Sequence, residues 1–280
     1  MRTLDSISAL RSFVADNRGE GKTIAFVPTM GALHQGHLEL VRCGLVKADI
    51  CIPYIFVNPK QFAPHEDFGS YPRTVEADCE KLRNAGASAV YLPSPDEIYP
   101  DGFSTGISVS GVSEPLEGEF RPHFFSGVAT IVAKMLLQSL PDIALFGEKD
   151  WQQLQVIKRM VADLNIPVEI IGVPIVRDEN GLALSSRNAY LTQDQYQIAT
   201  RMNKILKVMG QDILGGMPIE ASEKKARQAL LEAGFEKIDY IAARNAQTLL
   251  SPDKKDKNLR LLAAAWLGKA RLIDNMGLNG

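Results

Sequence analysis

Between Thr23 and Ile171 the chain alternates short apolar, β-branched runs with segments of helical spacing, and this alternation constrains its fold more than any other feature. Thr23–Thr29 (TIAFVPT), Asp49–Val57 (DICIPYIFV), Ala87–Leu92 (ASAVYL), Ile143–Phe146 and Val168–Ile171 read as buried strands. The intervening segments read as helices. Gly36–Lys47 sets Leu38, Val41 and Leu45 on one helical face, and Thr74–Asn84 is polar and helix-favouring. Gly127–Leu140 is apolar and stops at Pro141, and Asp150–Leu164 follows the next strand. Strands linked through helices return in the same direction, so the spacing predicts a parallel sheet with crossover helices in the Rossmann-like manner.

The rhythm changes near Arg177. A turn cluster, Asp178–Gly181 (DENG), precedes two polar helices over Thr192–Leu214 and Ile219–Ala233. Three strands over Ile238–Ala243, Leu259–Trp266 and Ala270–Ile273 then follow. Helices followed by strands, without alternation, describe an α+β unit. The expected class is α/β, with a Rossmann-like parallel-sheet domain over 1–176 and a smaller α+β domain over 177–280.

Composition excludes several classes of function. The 280 residues carry a formal net charge of −2, which leaves no electrostatic footprint for nucleic acid or an anionic membrane surface. No apolar run reaches the ~18 residues of a membrane span. Met1–Lys22 reads as a charged amphipathic helix and lacks the continuous apolar region of a secretory signal. Cys43, Cys51 and Cys79 form no CxxC pair, so they are expected to be small buried hydrophobes in a reducing cytoplasm.

The segment Pro28-Thr29-Met30-Gly31-Ala32-Leu33-His34-Gln35-Gly36-His37 joins the first strand to the first crossover helix. Ligands of open parallel sheets bind beyond strand carboxyl ends, and a helix N-terminus suits phosphate. His34 and His37, three residues apart, can share one face of that helix start. An uncharged imidazole can donate a hydrogen bond to phosphate as charge develops there. The same two histidines are also two thirds of a zinc site. That alternative needs a third ligand, and only His65 and His123 remain, neither in a helical ligand motif.

PTMGALHQGH resembles the HxGH signature of the nucleotidyltransferase superfamily and, with its leading PTMG, is similar to the pantothenate synthetase family. Three further segments extend the resemblance. Phe56-Val57-Asn58-Pro59-Lys60-Gln61-Phe62 leaves the second strand; as residues alone, its amides suit either ligand orientation or an Asn-Pro turn. Phe146-Gly147-Glu148-Lys149-Asp150-Trp151-Gln152-Gln153-Leu154 repeats the strand–glycine–helix placement, with Lys149 a point charge and Asp150 an N-cap candidate. Leu184-Ser185-Ser186-Arg187-Asn188 offers two hydroxyls and a guanidinium, or simply a helix cap. These strings are similar to the family's VNPxQF, GEKDxQQL and LSSRN. AAAWLGKARLIDN matches the family's C-terminal strands, so the resemblance runs from about residue 23 to 274. One departure stands out: the family's RPxHF reads Arg121-Pro122-His123-Phe124-Phe125 here, with the histidine one position early.

The resemblance implies an ATP-consuming ligase that joins pantoate to β-alanine through a pantoyl adenylate. It implies ATP contacts at Met30, Gly31, Ala32, Leu33, His34, Gln35, Gly36 and His37. It also implies them at Gly147, Glu148, Lys149, Asp150, Val176, Leu184, Ser185, Ser186 and Arg187. Gln61 and Gln153 would bind pantoate, with Asn58 beside them, and His34, His37 and Lys149 would act on the phosphates. Mg2+ would accompany ATP, and a cytoplasmic homodimer is the implied form. Two other readings remain: a plain nucleotidyltransferase, which shares HxGH but has no need of FVNPKQF or EKDWQQL, and a metal-binding or nucleotide-sensing module without turnover. Magnesium ligands and a general base for the amine step are not evident in the sequence.

Overall fold

The computed structural model describes residues 1–62, 68–253 and 255–279; His65 lies outside them. Its first half comprises β1 (Arg2–Leu4), α1 (Ile7–Gly19), β2 (Ile24–Thr29), α2 (Gln35–Lys47), β3 (Ile50–Ile55), α3 (Val75–Asn84) and β4 (Ala89–Tyr91). Two single turns, α4 (Pro95–Ile98) and α5 (Glu117–Phe120), precede α6 (Phe124–Ser139), β5 (Ile143–Gly147), α7 (Trp151–Asp163) and β6 (Glu169–Val173). The remainder is α8 (Gln193–Ala199), α9 (Arg201–Leu214), α10 (Ile219–Ala233), β7 (Lys237–Asn245), β8 (Asn258–Leu267) and β9 (Ala270–Asn279).

The first six strands form one parallel sheet in the order β1-β4-β3-β2-β5-β6. From β2 the chain builds outward through β3 and β4, then crosses back to add β5 and β6 on the other side. The order therefore reverses between β2 and β5, and a crevice opens at such a switch point. The register widens it. β2 pairs with β5 only at Ala25↔Ile143 and Phe26↔Ala144, although the strands run on to Thr29 and Gly147.

All six residues of β3 are buried, as expected of a parallel strand covered on both faces. Leu10, Phe13 and Val14 of α1 and Val128, Ile131 and Val132 of α6 cover one face. Leu38 and Val41 of α2 and Leu82 of α3 cover the other. Gly44 lets α2 sit close to the sheet: a Cβ there would stand 3.0 Å from Cys51 Sγ and 3.2 Å from Ala25 Cβ. That close seat carries the start of α2 over the crevice.

β7, β8 and β9 form a separate antiparallel sheet. Met202, Leu206 and Met209 of α9 and Ala226 and Leu230 of α10 cover its outer face. Ala242 and Leu262 on its inner face pack with Leu116 and Trp151, which brings this sheet down onto the start of α7.

Three expectations of local structure need correction. The N-terminal segment opens with a three-residue strand, β1, before its helix, because Arg2–Leu4 pairs with β4 over too few residues to leave a period. Thr192–Leu214 is two helices meeting at Thr200, whose hydroxyl donates to the Gln197 carbonyl. The last strand runs to Asn279 rather than ending at Ile273, because β9 pairs with β8 along its whole length.

Candidate active site

A cleft of about 780 Å³ opens at the switch point and is roofed by the C-terminal sheet. One wall is the HxGH segment, and its local geometry follows from two reciprocal hydrogen bonds. His34 precedes α2 as its N-cap, and its Nδ1 accepts the Gly36 N–H at 3.2 Å. The Nδ1 of His37 accepts the His34 N–H at 3.3 Å. A capping box normally uses Ser or Thr with Glu or Gln; here two imidazoles serve. The rings lie 4.1 Å apart between centroids. Gly36 is the residue that lets His34 fold back: a Cβ there would stand 2.9 Å from His34 Cε1.

This geometry fixes chemistry. An Nδ1 that accepts must be bare, so each neutral ring carries its proton on Nε2 and offers that N–H as donor. Burial, reinforced by the Lys149 ammonium, lowers the pKa of His34 to about 4. Burial, then the proximity of His34 and Lys149, lowers that of His37 to about 3. Both rings are neutral donors at ordinary pH.

The loop ahead of the histidines is held by a residue that sequence reasoning passed over. Asp78 of α3 has no exposed surface, and its two carboxylate oxygens accept the N–H groups of Ala32 and Leu33, each at 2.8 Å. Thr74 Oγ1 donates to the same carboxylate, and Lys81 Nζ donates to the Leu33 carbonyl at 2.7 Å. Gly31, at φ 82°, donates to Thr29 Oγ1 and makes the turn that a side chain would strain.

The structure separates the expected site residues into two groups. Met30, His34, Gly36, His37, Gln61, Gly147, Lys149, Asp150, Gln153, Val176, Leu184, Ser185, Ser186 and Arg187 all line the one cleft. Gly31, Ala32, Leu33, Gln35, Asn58 and Glu148 do not. The N–H groups of Gly31, Ala32 and Leu33 are bonded as above; Gln35 is exposed and accepts from Arg42. Asn58 is buried and holds Gln61: its Nδ2 donates to Gln61 Oε1 at 3.0 Å and to the Gly127 carbonyl, and its Oδ1 accepts from Tyr99 and the Lys60 N–H. With Oε1 so engaged, Gln61 has its amide N–H groups to offer. Gly127 lets α6 meet this turn, since a Cβ there would lie 2.1 Å from the Lys60 carbonyl oxygen. Glu148 pairs with Arg260 at 3.1 Å.

At the start of α7, Gln152 is buried and accepts the Glu117 N–H while donating to the carbonyls of Val112 and Pro115. Its neighbour Gln153 lines the cleft. Asp150 sits at the N-cap position without a side-chain cap bond, and Lys149 forms no ion pair among the described residues. Ser185 caps a short 3₁₀ turn by accepting the Arg187 N–H, and Ser186 Oγ lies 3.3 Å from Tyr71 Oη.

An ionic chain closes the far side of the cleft. Glu117 pairs with Arg121 at 3.2 Å and with Arg271 at 2.8 Å, and Arg271 Nε donates to Asp239 at 2.7 Å. Arg121 also donates to the Gln61 carbonyl and stacks 3.9 Å over Phe124. His123 is exposed at the start of α6 without a side-chain cap bond, so Phe124 and not the histidine faces the cleft. Among the described residues no group of three or more His, Cys, Asp or Glu side chains is placed to hold a metal, and no helix is long and apolar enough to cross a membrane.

A family model described as pantoate-beta-alanine ligase matches residues 2–277. The chain belongs to the pantoate-beta-alanine ligase family. A pantothenate synthetase of Caulobacter vibrioides is 52% identical over 276 residues, which cover 98% of this chain and 97% of that protein. The crystal structure of pantothenate synthetase from Thermus thermophilus superposes with a TM-score of 0.94 at 40% identity, covering all of both chains. A pantoate-beta-alanine ligase from Francisella tularensis, solved in complex with beta-gamma ATP and beta-alanine, superposes at 0.82 with 34% identity over 99% of this chain and 97% of that one. The Rossmann-like sheet with a small antiparallel domain is thus the architecture this ligase family shares.

Proposed function

We propose that this chain condenses pantoate with β-alanine to pantothenate, consuming ATP through a pantoyl adenylate and releasing AMP and pyrophosphate. The observation that carries the reading is one cleft in which two neutral imidazole donors and the Lys149 cation stand with the amides of Gln61 and Gln153. A carboxylate is a poor acyl electrophile. Attack of the pantoate carboxylate on the α-phosphorus expels pyrophosphate and leaves a mixed anhydride, from which the β-alanine amine then displaces AMP. For phosphoryl transfer the protein chiefly positions groups and stabilises charge.

His34 and His37 act on the α-phosphate, Lys149 on the phosphates, and Ser185, Ser186 and Arg187 on the outer phosphates. Gln61 and Gln153 orient pantoate, with the apolar side chains of Val128, Ile131, Val132 and Phe146 lining the same cleft. The donor set suits Mg2+, which takes one or two carboxylates together with substrate phosphates. Asp150 lines the cleft beside Lys149 with no hydrogen bond or ion pair from its carboxylate among the described residues, and would hold the ion, which would neutralise phosphate charge. The boundary near Val176, between the last strand of the parallel sheet and the LSSRN loop, divides the two domains that meet over ATP. The family favours a homodimer, which sedimentation would check, and the three free cysteines fit a reducing cytoplasm.

Exchange of labelled pyrophosphate into ATP tests the reading. It should require pantoate and proceed without β-alanine. Exchange that ignores pantoate would support a plain nucleotidyltransferase instead.

A further inference from the structure

Asn275 lies on β9, in the C-terminal sheet, yet its side-chain N–H groups reach across to the N-terminal domain. Its Nδ2 donates to the carbonyls of Glu148 at 3.0 Å and Lys149 at 2.8 Å. Its Oδ1 accepts from Arg260 Nε at 2.7 Å. Its own N–H is held by the Asp274 carboxylate, which in turn takes both terminal nitrogens of Arg177, at 2.7 and 2.8 Å. Asn275 is 2% exposed and borders the cleft.

The other atoms around this contact are also committed. Arg260 stacks 3.7 Å over the Trp151 ring and pairs with Glu148, so the residues on either side of Lys149–Asp150 are fixed from above. Trp151 Nε1 donates to the Ala246 carbonyl, a further tie to the upper sheet. Lys149 stands in a 3₁₀ turn between β5 and α7, too short to hold its own geometry through helical hydrogen bonds. One planar amide spanning two consecutive carbonyls sets the peptide planes on both sides of the Lys149 Cα, and hence the direction in which its side chain leaves the backbone.

We propose that Asn275 is a positioning residue for Lys149, through which the C-terminal sheet sets the phosphate-binding cation of the N-terminal domain. The proposal rests on the reading of Lys149 as a phosphate contact. Asn275 is a buried amide in the middle of β9 whose side chain packs into no apolar cluster, and this role accounts for its presence there.

The discriminating experiment is a double-mutant cycle read by calorimetric ATP affinity and by pantoate-dependent pyrophosphate exchange. Asn275→Asp is nearly isosteric and keeps an oxygen for Arg260, but turns an acceptor toward the two carbonyls. In the native background it should weaken ATP binding or slow exchange by roughly tenfold, since small misplacement of a reacting group is costly. With Lys149→Ala already present, the same change should cost less than twofold, because no lysine remains to be misplaced. Equal losses in both backgrounds, or native ATP affinity and exchange in folded Asn275→Asp, would overturn the proposal. Asn275→Ser, which keeps a donor of smaller reach, serves if the aspartate variant does not fold, with the same two outcomes. Failure of the native protein to bind ATP would instead sink the reading of the site as a whole, and the proposal with it.

Discussion

His37 Nδ1 accepts the backbone N–H of His34 at 3.3 Å, so the cap of α2 and the tautomer of a cleft imidazole are one and the same interaction. Protonating that nitrogen would break the cap as well as place a cation beside Lys149. The consequence is a defined pH dependence. Both folded-state pKa values, about 4 and about 3, lie below the ordinary histidine value of 6.5. Below that value the unfolded chain binds more protons than the folded one. The stability contributed by these rings is therefore complete above pH 6.5 and is lost as pH falls from there toward 4 and 3. Imidazole resonances of His34 and His37 should not titrate between pH 5 and 8, and the melting temperature should drop on acidification through that lower window. A His34 or His37 resonance titrating near 6.5 would contradict the neutral-donor description.

Asp78→Asn tests how the loop ahead of the histidines is held. The substitution preserves shape but turns one oxygen that accepts a buried N–H into a donor. Loss of a hydrogen bond to a charged group costs about 1.5–3 kcal/mol. Chemical denaturation should show a loss in that range, accompanied by weaker ATP use, because Ala32 and Leu33 lead directly into His34. An unchanged denaturation midpoint would mean that the loop is set by other contacts.

Gln61→Ala and Gln153→Ala should chiefly impair pantoate use and leave ATP binding nearly intact. On the proposed assignment each substitution would remove a hydrogen bond to a charged ligand group, worth roughly 1.5–3 kcal/mol. Asn58→Ala should follow Gln61→Ala in direction, since Asn58 Nδ2 holds the Gln61 carbonyl oxygen. Calorimetry that shows equal losses of ATP and pantoate affinity would displace the acid pocket from this turn.

Replacement of Cys43, Cys51 and Cys79 together by Ala or Ser should leave turnover largely intact where the fold survives. All three are free, none lines the cleft, and burial raises the thiol pKa of each. An adenylate route uses no thiol. A pantoyl thioester trapped on any of them would require a different mechanism.

What the sequence disclosed was local. The HxGH segment, the start of α7 and the Asn58 turn each follow a strand within a few residues, so strand pattern, glycine and polar tip are read together in one window. Asp78 stands 45 and 46 residues from the N–H groups it holds, on a helix whose polar composition reads as a solvated face. Asn275 is 126 residues from Lys149. Contacts of that separation leave no trace in a single sequence. β9 was legible only to Ile273 because Asp274 and Asn275 interrupt its apolar pattern. Local rules fail where residues serve the cleft, as expected at functional sites. Both Gln152 and Gln153 border the cleft; the resemblance singles out Gln153, and the structure supplies the physical reason, because the Gln152 amide is spent on the loop before α5.

His37→Ala gives the sharpest test of the chemistry. If Nε2–H donates to the α-phosphate as charge develops, adenylate formation should fall by roughly 10²–10³-fold, the scale of losing one preorganised donor. Substrate affinities should change much less, because an interaction made mainly in the transition state is expressed in turnover. Amide formation from separately supplied pantoyl adenylate should suffer less than adenylation, since its chemistry occurs at the acyl carbon. Loss of the cap alone predicts something different. The substitution also removes the acceptor for the His34 N–H, so a purely structural role would lower the melting temperature and depress both half-reactions together. His37→Gln separates the two roles, because a glutamine at this helix position supplies a cap acceptor in the usual capping-box manner without an imidazole N–H. Recovery of stability without recovery of adenylation assigns the imidazole to the phosphate. Near-normal adenylation by either folded variant removes His37 from the catalytic set.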